Sequence, residues 1–216
     1  MTQVNAGGRL PVALGRADLP AIVEVLREAF VAYPVMRYVL GRTPRVDDPH
    51  LATLLRFFAT ARLLRGEPVL GVRAGDGLAG VALVSYPDGP ASPAEVARCR
   101  EETWAVLGAD AHARYERFGE ACAPFFPDSA RTHLNMIGVR PTARGTGIAH
   151  VLIDAVVALA ATRPGTGAVT LTTEDPANLP LYRRLGFVEI GHARVDSELK
   201  SWGMSRRPLR GRTGSV

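Results

Sequence analysis

The chain has 216 residues, 47% of them hydrophobic and 22% charged, and carries a net charge of +5. That length and mixture suit one folded domain with a proper core and exclude a disordered or fibrous chain. The basic excess is mild and gathers partly in the last twelve residues, "SRRPLRGRTGSV"; with no aromatic-and-basic motif beside it, nucleic acid is not an expected partner.

Cys99 and Cys122 stand in no CxxC spacing, and His50, His112, His150 and His192 form no ligand pairs. No metal is therefore expected. The start lacks the apolar stretch of a signal peptide, and the longest apolar run, Ile148 to Ala161, is too short for a bilayer. The expectation is a cytoplasmic protein off the membrane, monomer or homodimer, with one domain over residues 1–205 and a basic tail over 206–216.

In chain order, residues 8 to 14 read as a first strand. "ADLPAIVEVLREAF" (17–30) reads as a helix capped by Asp18, with Pro20 in its first turn. Ile22, Val25, Leu26, Ala29 and Phe30 recur at helical spacing and give it one buried face. "VAYPVMRYVL" (31–40) reads as an apolar loop broken by Pro34. A helix from Pro49 to Arg65 follows, then an antiparallel hairpin of "PVLGVRA" and "LAGVALVSY" around "GDG".

Residues 93 to 122 return to helical spacing between two breaks, "PDGPAS" and "PFFPDSA". "RTHLNMIGV" (131–139) is extended, 145 to 162 is helical with Pro164 and Gly165 as its stop, and "AVTLTT" (168–173) is a buried strand. "NLPLYRRLG" (178–186) reads as a short helix with Gly186 just past its end, and "FVEIGHARV" and "KSWGMSR" close the chain as strands. This order predicts an α+β protein, an α/β/α sandwich built on one sheet.

One loop carries chemistry: "VRPTARGTGIAHVL" (139–152), with Gly145 and Gly147 ahead of an apolar helix. Small residues there leave backbone amides bare at a helix N-terminus, where unpaired donors and the dipole favour a phosphate. A Walker loop would need GK[ST], which is missing, and a dinucleotide fingerprint would need a small residue where His150 stands. Arg144-Gly145-Thr146-Gly147-Ile148-Ala149 instead resembles the R/Q-x-x-G-x-G/A loop of the GCN5-related N-acetyltransferase (GNAT) superfamily. "NLPLYRRLGF" resembles its second signature, N-x-x-x-[YF]-x-x-x-G-F, with Asn178, Tyr182, Gly186 and Phe187 in register. Within the superfamily the chain looks most like puromycin N-acetyltransferase and its relatives, through "REAFVAYPVMRYVL", "TTEDPANLPLYRRLGF" and "SWGMSRRP". Residues 87 to 125 match that pattern poorly.

The resemblance implies a mixed, mostly antiparallel sheet of about six or seven strands, two of which splay apart to admit acetyl-CoA. It implies transfer of an acetyl group to the primary amine of a small molecule, an antibiotic or a metabolite, by direct attack on the thioester. Ile137, Gly138 and Val139 would offer backbone to the pantetheine arm, and Arg144, Gly145, Thr146, Gly147, Ile148 and Ala149 would hold the pyrophosphate. Tyr182 would protonate the departing thiolate, or else it simply packs beside Leu181 and Leu185. Asn178 reads as a helix N-cap, as a pantetheine ligand, or as both. Phe30, Tyr33, Tyr38 and His133 would face the acceptor. Neutralising a lysine-type amine costs roughly 4 kcal/mol at neutral pH, an α-amine only about 1, and the candidate bases are His133, Glu174 and Tyr33. Acylation of a protein lysine or N-terminus, and a CoA-binding module without catalysis, are the alternatives.

Overall fold

The computed structural model of the chain describes residues 10–86, 89, 91–125, 131–163 and 167–207. Its first half comprises β1 (Val12–Ala13), α1 (Leu19–Phe30), α2 (Pro34–Leu40), α3 (Pro49–Leu64), β2 (Val69–Ala74), β3 (Gly77–Ser85), α4 (Ala94–Leu107) and α5 (Ala109–Cys122). Its second half comprises β4 (Thr132–Val139), α6 (Ile148–Ala161), β5 (Val169–Thr173), α7 (Leu179–Arg184), β6 (Val188–Arg194) and β7 (Lys200–Arg206). Seven strands make one open sheet in the order β1-β2-β3-β4-β5-β7-β6. Every pairing is antiparallel except β4 with β5. The expected fold class is the observed one.

β3 shows why the sheet needs cover on both sides. Leu78, Val81 and Leu83 pack into the cluster beneath α1 and α3, while Ala79, Ala82 and Val84 pack into the cluster beneath α6. A strand buried on both faces reads as a continuous apolar run, which is how "LAGVALVSY" looks in the sequence. Two missing side chains let the helices approach closely. A Cβ at Gly80 would meet Ile148 Cγ2 at 2.5 Å, and one at Gly138 would meet Ala29 Cβ at 3.0 Å. Gly138 therefore already serves the packing of α1 against β4.

The central feature is a wedge. β4 pairs with β5 only at Thr132–Val169 and His133–Thr170, although β4 continues to Val139. On its other edge β4 follows β3 as far as Val139, with one register shift between Leu83 and Val84 that leaves Asn135 as the extra residue. Such a bulge increases local twist and bends the strand, so β4 turns away from β5 and opens the gap that the resemblance implied.

Several local expectations need correction. "VAYPVMRYVL" is no loop: α2 starts at Pro34, whose fixed φ and missing N–H suit the first helical position, and ends on left-handed Gly41. Asp18 does not cap α1; its carboxylate accepts from Gly15 N at 2.9 Å and closes the preceding turn. Residues 93 to 122 form two helices, parted at Gly108, whose φ of 88° ends one and starts the next. The helix expected from 145 begins at Ile148, because Gly145 and Gly147 are both left-handed. The first strand shortens to two residues, and β7 runs through Arg206, so the tail expected from 206 starts inside the sheet. The expected stop at Pro164 and Gly165, and much of both predicted breaks, lie outside the described residues.

Candidate active site

The phosphate-type loop forms from its sequence in a simple way. Pro141–Ala143 makes one tight turn, and the Thr146 hydroxyl donates to Ala143 O at 2.7 Å, which fixes the loop against itself. Gly145 and Gly147 take φ of 76° and 84°, conformations that side chains rarely adopt. No side chain caps α6, so its first-turn amides face outward from an exposed loop, and a Cβ at either glycine would meet no protein atom. Ile148 is core, so only its backbone is available; Ala149 is half-buried and Arg144 exposed. It is Arg140, not Arg144, that is tied into the fold, donating to Leu78 O at 2.7 Å and pairing with Glu28 and, at 3.4 Å, with Glu24.

Beneath the wedge lies a cavity of about 780 Å³, the size of a small-molecule site. Its walls include Phe30, Tyr33, His133, Ile137, Asn178 and Tyr182, so the splayed strand, the expected acceptor residues and the second signature meet in one place. Tyr38 is not among them; it is buried in the core. Val139 packs toward α6 with Ile137. The segment with the poorest family resemblance contributes the opposite wall, through Tyr115, Phe118 and Cys122 of α5.

Tyr182 owes its position to the way α7 stops. Leu185 ends the helix and Gly186 turns left-handed at φ 82°. Gly186 N donates to Arg183 O and Phe187 N donates to Tyr182 O, both at 3.0 Å. This is a Schellman cap, in which the residue after the glycine packs against the residue whose carbonyl it satisfies. The Phe187 and Tyr182 rings accordingly meet edge-on at 5.8 Å. The spacing Y-x-x-x-G-F is thus the spacing of a helix stop that locks a tyrosine. Tyr182 both packs in the core and lines the cavity.

Asn178 does not cap α7. Its amide lies 3.4 Å from Thr173 Oγ1, while Asp175 caps the turn by accepting from Ala177 N at 2.9 Å. Thr173 is a junction: Tyr33 OH lies 3.0 Å from the same Oγ1 and accepts from Glu174 N at 3.1 Å. The α1–α2 connection is thereby fastened to the end of β5.

Glu174 is the electrostatic centre of the cavity. It is 6% exposed and receives the Ser201 hydroxyl at 2.7 Å. Burial pushes its carboxyl up to about 7, while hydroxyl donors from Ser201, Tyr33 and Thr172 pull the other way. The phenol of Tyr182 is held well above its ordinary value, first by burial and then by the Glu174 charge, so it keeps its proton. Tyr33 is raised for the same reasons, with Tyr182 adding to the effect. His133, with Nδ1 3.1 Å from Thr170 Oγ1, is pushed down to about 3 by burial and the Arg62 charge, so it is a neutral imidazole at physiological pH. Ser201 escaped sequence reasoning. It lies on β7, which slots between β5 and β6, and no local pattern announces that neighbour.

The split sheet and the uncapped N-terminus of α6 agree with the fold that the resemblance implied. Residues 126–207 match the family model described as an acetyltransferase (GNAT) domain. Among solved structures it is similar to one described as histone acetyltransferase HPA2 and related acetyltransferase, from Corynebacterium glutamicum. That match has 24% identity and a TM-score of 0.68 over 95% of this chain and 99% of the other. Arylalkylamine N-acetyltransferase 2 of Aedes aegypti matches at 17% identity and a TM-score of 0.61, over 94% and 100%. The ribosomal-protein-S18-alanine N-acetyltransferase of Escherichia coli matches at 14% and 0.53, over 96% and 99%. At such identities these likenesses show the fold. Members of this family use acetyl-CoA, and no described helix is long and apolar enough to cross a membrane.

Proposed function

We propose that the protein is an N-acetyltransferase that moves the acetyl group of acetyl-CoA directly onto the primary amine of a small molecule. The observation that carries this reading is a buried carboxyl titrating near neutrality, Glu174, in the same cavity as the protonated phenol of Tyr182. A catalytic base works best when its pKa lies near the working pH. When bound, acetyl-CoA supplies an acetyl group already activated as a thioester. The left-handed loop fits its anionic end, because the α6 amides are bare and the glycines leave space there.

Glu174 takes a proton from the acceptor amine as the N–C bond forms. Tyr182 holds its proton for the sulfur as the C–S bond breaks, and it recovers that proton from Glu174. The two groups assist one another. Protonation of Glu174 removes the charge that helped raise the Tyr182 phenol, so the acid strengthens when the base has acted. Cys122 lines the cavity too, yet burial pushes its thiol to about 11. A thiol protonated at neutral pH is a poor nucleophile, which favours direct transfer over an acyl-cysteine route. The enclosed aromatic wall and the puromycin-type stretches both support a small acceptor over a protein chain.

The test is thiol release from acetyl-CoA across a panel of small primary amines, with the N-acetyl product confirmed by mass. Tyr182→Phe is expected to lower kcat by ~10-fold or more with little change in CoA affinity, as for a lost general acid. Tight CoA binding without turnover of any amine leaves a binding module, and acetylation of peptides alone leaves a protein acetyltransferase.

A further inference from the structure

The cavity has a second polar end that the acetyl-transfer reading does not use. Thr170, Thr172 and Glu174 alternate along β5 and its end, and all three line the cavity. Four residues of strand separate Thr170 from Glu174 by ~13 Å. At the Thr170 end stands His133, 3.1 Å away through Nδ1. Beside it stands Arg62 of α3, close enough to depress the imidazole electrostatically and to act on the Tyr115 phenol as well. All three line the cavity with Thr170.

Arg62 is an unusual lining residue. Its side chain is only 19% exposed, and its Nη1 pairs with Glu67 Oε2 at 2.9 Å, a carboxylate that is itself buried and does not line the cavity. That pair holds the guanidinium in place and leaves other donors of its fork for the interior. Elsewhere the lining is more balanced: Arg100 and Arg131 are joined there by Glu116, which lies 3.7 Å from Arg100 and 3.1 Å from His112. Phe58, Phe118 and Met36 give the same cavity an apolar lining. A deep arginine and a phenol that burial keeps protonated form a donor pair suited to a carboxylate or phosphate, beside an imidazole that bonds Thr170.

We infer that the acceptor is a two-ended molecule: an amine at Glu174, an apolar middle, and a distal anionic oxygen group held by Arg62 and Tyr115 beside His133. This deepens the N-acetyltransferase reading and rests on it for the amine end alone. The two ends lie too far apart for the carboxylate of a simple α-amino acid. Arg62 sets specificity, so it is a positioning and recognition residue and takes no part in bond making.

The experiment compares kcat/KM for ω-amino carboxylates, ω-aminoalkyl phosphates and neutral alkylamines of graded length. We expect an optimum length at which an anionic series exceeds the matching alkylamine by at least tenfold, and the better of the two series identifies the anion. Removing Arg62 alone strands Glu67, so the variant is the pair Arg62→Gln with Glu67→Gln. It should lower that anion-to-neutral ratio at least tenfold, and Arg62→Lys should recover part of it. Calorimetry with the N-acetylated ω-amino carboxylate reads the distal site without turnover, and its Kd should rise at least tenfold in the paired variant. Equal rates for anionic and neutral amines at every length, or a product Kd that ignores Arg62, overturn the inference while the N-acetyltransferase reading stands. Failure of every amine, with product binding still dependent on Arg62, strikes that reading and not the distal site.

Discussion

Glu174 sits where β5 gives way to a turn, and its carboxyl is buried among hydroxyls instead of cations. Its pKa of about 7 has two measurable consequences. Activity that needs the carboxylate should rise with pH through about 7, and Glu174→Gln should remove that limb and lower kcat/KM by 10²-fold or more. Stability should move the opposite way. The folded form holds the proton at pH values where the unfolded chain, with a carboxyl pKa near ~4.3, has released it. Between those values folding is penalised progressively as pH rises, by about 4 kcal/mol in full. Glu174→Gln should therefore raise Tm at pH 8 relative to wild type and do so much less at pH 4, as a pair of calorimetric scans can decide. The sequence offered Glu174 only as one of three candidate bases. What separates it from His133 is burial beside Ser201 and distance from Arg62, both products of strand order that no local spacing encodes.

At the scale of elements, α7 ties stability to the position of the proposed acid, Tyr182, through its cap. Gly186→Ala keeps the space, since the nearest atom to a new Cβ is Arg206 Nε at 3.6 Å, but forces alanine to φ 82°. That conformation costs an L-residue about 1–2 kcal/mol, and it loosens the turn that holds Tyr182. We expect Tm to fall by a few degrees and kcat to fall with it, while a substitution at exposed Arg184 changes neither. Unchanged kcat in a destabilised Gly186→Ala variant would separate the cap from the chemistry. The same helix explains why its signature was legible: the tyrosine, glycine and phenylalanine are contiguous parts of one local motif. α2 was not legible because Pro34 was weighed as a breaker, when an extended Tyr33 before it makes it a helix start. Asn178 misled in a related way, since the cap it suggested belongs to Asp175, three residues earlier.

At the scale of the whole molecule, most of the sheet could be read from the chain, because strands buried on two faces and helices with one apolar side leave strong patterns. The depth of the wedge could not, because it follows from a single bulge at Asn135 and from where β5 stops pairing. A ligand with one end on the α6 amides and an arm along β4 touches both sides of that gap. CoA at a hundred times its Kd should stabilise the fold by about 2.7 kcal/mol, or roughly 5–10 °C in Tm for a chain of this size. Gly147→Val, which places a branched side chain at φ 84° before α6, should abolish that shift. A full shift in that variant would remove the loop from CoA binding.

The two-residue seam between β4 and β5 also has a mechanical meaning. It makes the sheet two plates, β1 to β4 and β5 with β7 and β6, joined at one corner. Stiffness across the join comes from bridging parts: α6, which packs on β3, β4 and β5, and the Tyr33 clasp on Thr173 and Glu174. The plates behave as a book whose spine is short and whose covers are held by a strap. The strap hydroxyl also accepts from the backbone N–H of Glu174, the residue proposed as base. Opening the book would loosen the backbone that carries the proposed base, which ties the angle between the plates to the proposed chemistry.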